Sequence, residues 1–149
     1  MAADQPNSSP PAPPEATSLG GPGAWGQAAR LAAADAAEND AFGWSVAIAG
    51  DLVAAGTPQS DPGGSEGQGA VYLFQRNLGG PGAWGQAAKL TPTPGAEVIY
   101  FGTSVAVSRD GPWIAAGAPW YDVTGFDDGA AYVFRWEWPY RLFLPLIVK

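Results

Sequence analysis

Apolar and small residues alternate through "FGWSVAIAG" (residues 42–50), which puts Trp44, Val46 and Ile48 on one face and Ser45, Ala47 and Ala49 on the other. A period of two over this length predicts a half-buried β-strand. The next stretch, "DLVAAGTP" (51–58), is a short apolar run that stops at Gly56 and Pro58, residues that punctuate a strand end. A third, "GAVYLFQRN" (69–77), is rich in β-branched and aromatic residues, which suit a pleated, packed surface. The same order then returns as "FGTSVAVS" (101–108), "PWIAAGAP" (112–119) and "GAAYVFRWE" (129–137), with Val105 and Val107 in phase with Val46 and Ile48. Between the first two strands of each set lie Gly50-Asp51 and Arg109-Asp110-Gly111-Pro112, both compatible with tight hairpins.

The chain is therefore two copies of one unit. Leu19 matches Leu78, Trp25 matches Trp84, Phe42 matches Phe101 and Val46 matches Val105, all 59 positions apart. Small turn insertions then shift the register, so that Gly56 matches Gly117, Pro58 matches Pro119, and Tyr72 matches Tyr132. Internal repeats of this length point to arrays or propellers. Each copy opens on nearly the same words, "LGGPGAWGQAARL" and "LGGPGAWGQAAKL", identical at 12 of 13 positions.

That opening holds Gly21, Gly23 and Gly26 in a G-x-G-x-x-G spacing, followed by an alanine-rich run with high helix propensity. The second copy decides between a phosphate cradle and a turn. Pro92, Pro94 and Gly95 stand where the helix would have to run, and they forbid it. The structure common to both copies is a strand ending near Leu31 or Leu90, then a loop of tolerant length. Each unit reads as a four-stranded antiparallel module of about 60 residues, the plan of a propeller blade.

Four segments follow. Residues 1–18 are a Pro-rich leader with almost nothing to bury, expected to be disordered. Residues 19–77 are the first repeat and 78–137 the second. Residues 138–149 are an apolar tail, read as a strand that covers an open sheet edge, with Pro145 limiting pairing to one side. The leader lacks the basic and apolar regions of a secretory signal, and no segment approaches the roughly 18 apolar residues of a membrane-spanning helix.

Composition narrows the chemistry. Twenty-one glycines and 15 prolines signal many turns, and seven Trp, six Phe and five Tyr are too many for a plain disordered chain. A net charge of −7 with seven scattered basic residues argues against a nucleic-acid partner. The absence of Cys removes disulfides, thiolate nucleophiles and Cys-based zinc sites. The absence of His removes the usual general base and every Ser-His-Asp arrangement.

Phe101-Gly102 followed by Gly117-Ala118-Pro119, with Phe42-Gly43 followed by Gly56-Thr57-Pro58, resembles the signature of bacterial FG-GAP repeat proteins, relatives of the integrin α-subunit propeller. The resemblance covers residues 19–137 and includes the Trp-x-Gln-x-x-(Lys/Arg)-Leu strand before each Phe-Gly. It implies an all-β chain of two four-stranded antiparallel blades, an extracellular or cell-surface setting, and use as an adhesion or interaction scaffold. Glycine permits close backbone approach, so blade geometry alone accounts for the motif.

Two blades cannot close a ring that typically has four to eight. Three arrangements stand open: a fragment of a longer propeller enzyme or surface protein, a homo-oligomer that completes the ring, or a two-sheet sandwich. The leading functional expectation is a non-catalytic scaffold for a protein or glycan ligand, without a cofactor. A carbohydrate-binding module is the alternative. Trp25, Trp84, Trp113, Trp120 and Tyr121 could stack on sugar faces, and Trp120-Tyr121 is the pair with no aromatic counterpart, since the first copy has Gln59-Ser60 there. Neither copy carries the D-x-D-x-D-G calcium loop of integrin-type blades. Asp122, Asp127 and Asp128 are the candidate Ca²⁺ ligands, with Asp61 and Glu66 a sparser set in the first copy. An enzyme using two carboxylates would need them from different loops, because adjacent Asp127 and Asp128 would point to opposite faces of a strand.

Overall fold

The computed structural model of the chain describes residues 26–111, 113–136 and 145–148. The leader, the first copy's Leu19–Trp25 and most of the tail lie outside the described residues. The first sheet is formed by β1 (Ser45–Ala49), β2 (Leu52–Thr57), β3 (Ala70–Arg76) and β4 (Trp84–Leu90), hydrogen-bonded in that order. The second repeats the plan with β5 (Ser104–Val107), β6 (Trp113–Ala118), β7 (Ala130–Arg135) and β8 (Pro145–Val148). Every pairing is antiparallel. No α-helix occurs among the described residues, so the alanine-rich run lies in turns and loop. The fold class is all-β, with two blade-like sheets that do not close into a ring.

Sheet and sequence repeat are out of phase by one strand. Trp84–Leu90 opens the second copy, yet it pairs with β3 and completes the first sheet. In the second sheet that outer place is taken by β8 from the tail, against β7. The first copy's equivalent stretch was expected to be a strand ending near Leu31, but residues 26–33 carry none. A ladder needs a partner for its backbone groups. β4 has β3, whereas no described strand lies before residues 26–33 in the chain.

Pairing fixes which side chains share a face. Ser45, Ala47, Ala54, Gly56, Val71, Leu73, Ala88 and Leu90 form one side of the first sheet, and this side meets the second sheet. Opposing it are Val105, Val107, Ile114, Ala116, Tyr132 and Phe134. The main core lies between them, with Phe101 and Ile99 enclosed. Phe101 sits edge-on to Tyr132 and Phe134, with ring centroids 5.3 and 5.8 Å apart. Phe42 makes the same contacts with Tyr72 and Phe74 at 5.8 and 6.0 Å. It does so on the outer side of the first sheet, where Leu31, Ala33 and Trp84 form a smaller cluster.

The seam between the sheets is closed by backbone. Ser45 Oγ donates to the Gly102 carbonyl at 2.7 Å, and the Phe101 amide donates to the Gln68 carbonyl at 2.9 Å. A Cβ on Gly56 would overlap the Gly102 carbonyl oxygen and the Ser45 hydroxyl, and one on Gly69 would overlap the Phe101 carbonyl. These two positions are glycine because another strand's backbone occupies the side-chain space. Thr57, in place of the second copy's Ala118, is fully buried and satisfied by its hydroxyl donating to the Ala70 carbonyl at 2.9 Å.

The long loop before β1 is anchored by charge. Tyr72 Oη and Lys89 Nζ both donate to Asp35, at 2.8 and 2.6 Å, and the Ala34 amide donates to Gln86 Oε1 at 2.9 Å. The hydrogen bonds from Lys89 and then Tyr72 hold the Asp35 carboxyl below its ordinary range. Tyr132, the repeat partner of Tyr72, has Pro94 where an Asp35 equivalent would stand. Its buried hydroxyl finds no partner among the described residues. Burial, with Tyr121 alongside, pushes that hydroxyl up to about 12.

Two predictions follow from these asymmetries. Gly56→Ala is expected to cost about 3 kcal/mol by overpacking the seam. Within a single chain Gly117→Ala should cost clearly less, because an added Cβ there meets only the Ser104 side chain, which can rotate. Paired urea denaturation curves check the difference. Tyr72→Phe should lose about 1 kcal/mol with its hydrogen bond to a half-exposed carboxylate, while Tyr132→Phe should be neutral or stabilising because it removes an unsatisfied buried hydroxyl. The order of the two midpoints in thermal unfolding decides this.

Candidate functional site

The loops at one end of the two sheets enclose a cleft of about 160 Å³, lined by Trp44, Pro58, Gln59, Tyr100, Thr103 and Trp120. Each lining residue is placed by the motif that precedes or follows it. Trp44 comes directly after Gly43 and leads into β1, while Pro58 and Gln59 leave β2. Tyr100 precedes Phe101, and Trp120 follows Pro119 at the end of β6. Tyr100 is held from both sides: its amide donates to the Gly67 carbonyl at 2.9 Å, and its carbonyl accepts from Thr103 Oγ1 at 2.6 Å. Its backbone has φ 49°, a left-handed conformation uncommon for a bulky residue.

Trp120 packs edge-on to Tyr100, with centroids 4.5 Å apart, and remains 49% exposed. Trp44 is 63% exposed. No carboxylate or ammonium lines the cleft. What it offers is aromatic surface, the side-chain amide of Gln59 and the hydroxyl-bearing side chains of Thr103 and Tyr100, a lining suited to an apolar or partly hydroxylated ligand face.

The sequence candidates separate in space. Trp120 lines the cleft, but Tyr121 turns inward and packs edge-on to Tyr132 at 6.1 Å. Trp84 and Trp113 lie at the other end of the sheets, paired with Arg76 and Arg135. The Arg135 guanidinium lies 5.9 Å from the Trp113 ring centre. Trp25 lies outside the described residues. Phe42, Gly43, Gly56, Pro58, Phe101, Gly102, Gly117, Ala118 and Pro119 occupy strand ends and the turns beside them, and of these Pro58 reaches the cleft.

The acidic residues serve the loop that carries them. Asp128 Oδ1 accepts from the Val123 amide at 2.8 Å, and Oδ2 accepts from the Thr124 amide and hydroxyl and the Gly125 amide at 2.9, 2.8 and 3.1 Å. Asp122 Oδ1 accepts from the Asp127 amide at 2.7 Å. Asp127 and Asp128 lie in this loop, between Tyr121 and Gly129, so the expectation that they alternate along a strand is corrected. Among the described residues no group of three or more Asp or Glu is arranged to hold a metal ion. In the first copy Asp61 Oδ1 accepts from the Gly67 amide at 2.7 Å, and Glu66 contributes its backbone carbonyl to the Val98 amide.

Tyr100 and Trp44 were missed from sequence, although a signal was present. The three cleft aromatics stand where the copies differ: Trp44 against Thr103, Tyr100 against Ala41, and Trp120 against Gln59. Of the lining residues, Pro58 is kept in both copies and the other five stand at positions where the copies differ. A family model described as FG-GAP repeat matches residues 25–74 and 84–134. No curated protein matches the chain.

The Asp128 contacts carry a pH dependence. Donation from the Val123 amide first, then from Thr124 and Gly125, pushes its carboxyl down to about 2. A depressed carboxylate stabilises its loop above the unfolded value of about 3.9 and loses that contribution as pH falls through the folded value. The Val123, Thr124 and Gly125 amide resonances are therefore expected to shift with a midpoint near 2, and a midpoint near 4 would contradict the geometry.

Proposed function

Because the chain belongs to the FG-GAP repeat family, whose model covers both copies, we propose that it is a non-catalytic, extracellular-type scaffold that binds a protein or glycan ligand at the aromatic cleft. One observation carries this reading. Two tryptophans, 63% and 49% exposed, and a tyrosine converge from different repeats, at positions where the copies carry different residues. Exposed aromatic groups gathered beside a few polar ones are characteristic of recognition surfaces. The extracellular setting rests on the family, and the reading calls on no cofactor. The exposed Val46 and Ile48 on the first sheet and Ser104 and Ala106 on the second support a working scaffold in which further copies add their blades.

A carbohydrate ligand is the more specific form of this reading. Trp120 has no aromatic counterpart in the first copy, and Gln59 and Thr103 beside it can reach sugar hydroxyls. The test is a screen of the purified chain against cell-surface proteins and a glycan array, followed by variants. Trp120→Ala should weaken binding at least about tenfold, the effect of losing a central aromatic contact. Trp113→Ala, at the opposite end, should leave binding unchanged. Equal affinity for Trp120→Ala and wild type would remove the cleft from the proposal. An activity abolished by a single Asp or Glu substitution would replace the scaffold with an enzyme.

A further inference from the structure

We propose that a second copy of the chain docks head to tail, placing the outer side of its first sheet on the outer side of this copy's second sheet. The seam inside the chain supplies the template. There the second sheet presents Val105 and Val107, with Phe101 and Gly102, to the Ser45, Ala47 and Gly56 side of the first. The repeat equivalents of the presenting group are Val46, Ile48, Phe42 and Gly43. Val46 and Ile48 are 67% and 68% exposed, and a Cβ on Gly43 would meet nothing within 4 Å. The equivalents of the receiving group are Ser104, Ala106 and Gly117, of which Ser104 and Ala106 are exposed. One molecule thus carries both halves of an interface it already makes once.

The backbone is shaped for the same contact. Across the internal seam the amides of Val98, Tyr100 and Phe101 donate to the carbonyls of Glu66, Gly67 and Gln68, at 2.7, 2.9 and 2.9 Å. Their equivalents, the amides of Asn39, Ala41 and Phe42, donate to nothing among the described residues, and the carbonyls of Phe126, Asp127 and Asp128 accept nothing there. Both free sets already have the conformation of the bonded ones. Asn39, Ala41 and Gly43 have φ 67°, 58° and 83°, against 57°, 49° and 91° for Val98, Tyr100 and Gly102. Asp127 and Gly129 have φ 52° and 74°, against 58° and 82° for Gly67 and Gly69. The Ser104 hydroxyl, unpaired among the described residues, stands where Ser45 Oγ donates across the internal seam.

The interface is heterologous, so each added copy brings a new free half until the rotation closes. Rings of about four to eight blades correspond to about two to four copies. This assignment rests on the assembly part of the proposed function and names its surfaces. The test is light scattering and sedimentation of the full chain. Wild type is expected to be a defined dimer, trimer or tetramer. Ile48→Asp on the giving side and Ala106→Arg on the receiving side should each yield a monomer with an unchanged circular dichroism spectrum. Mixing the two should restore a dimer, because each variant keeps the half the other has lost. An oligomer that survives both substitutions overturns the faces and leaves assembly standing, as does one broken by Ile48→Asp alone, the mark of a self-complementary contact. A wild-type monomer at every concentration overturns both. Trp120→Ala should retain the wild-type mass, which separates failure of this interface from failure of the ligand cleft.

Discussion

The rest of the structure depends on how closely Gly102 approaches the first sheet. Its carbonyl accepts from Ser45 and sits where a side chain on Gly56 would be, while its own amide is tied to the Gly117 carbonyl in the second sheet. One residue thus belongs to two sheets. It can do so because Gly102 has φ 91° and a Cβ there would lie 2.6 Å from the Ala70 carbonyl, so both the conformation and the space demand glycine. With the backbones this close, Phe101 fills the space beside them and the side chains of the seam interlock.

This explains an asymmetry within each blade. The side that receives a Phe-Gly carries Ser, Ala and Gly on its first two strands, with Leu52 at their far end, because a neighbouring backbone lies against it. The side that presents a Phe-Gly carries Val, Ile and aromatic residues, which fill the wider gap beyond that contact. A sheet with unlike sides stacks in one direction only. Directional stacking is what separates a blade from a sandwich sheet, whose two inner faces are equivalent partners.

Much of this was legible in the sequence, and the exceptions have physical causes. Alternation at Val46 and Ile48 located β1, and Pro92 and Pro94 ruled out a helix that the alanines of the first copy alone would have suggested. Alternation did not reveal that the larger side chains of β1 face outward while Ser45 and Ala47 face the core, because a period of two separates two faces without saying which one a neighbouring backbone meets. The strand expected near Leu31 did not form, because a strand is decided by its partner as well as by its own residues. The acidic loop offered an ambiguous signal: an Asp that closes a loop and an Asp that binds calcium are the same letter, and only the amides around Asp128 distinguish its role. The cleft was half legible, since divergence between copies marked Trp120 but gave no reason to join it to Trp44 across 76 positions of sequence.

The cleft and the seam are not independent. Trp44 belongs to the first copy and Tyr100 and Trp120 to the second, so the aromatic group exists only while the two sheets are in register. Tyr100 is fixed in place by its amide donating to the Gly67 carbonyl, a group of the first blade, and by Thr103 beside the Gly102 contact. Its left-handed conformation recurs at Ala41, so it belongs to the turn of the blade itself. The boundary between the two sheets brings together Trp44, Tyr100 and Trp120, three positions at which the copies differ. The aromatic cleft and the blade packing are therefore coupled through the same few backbone atoms.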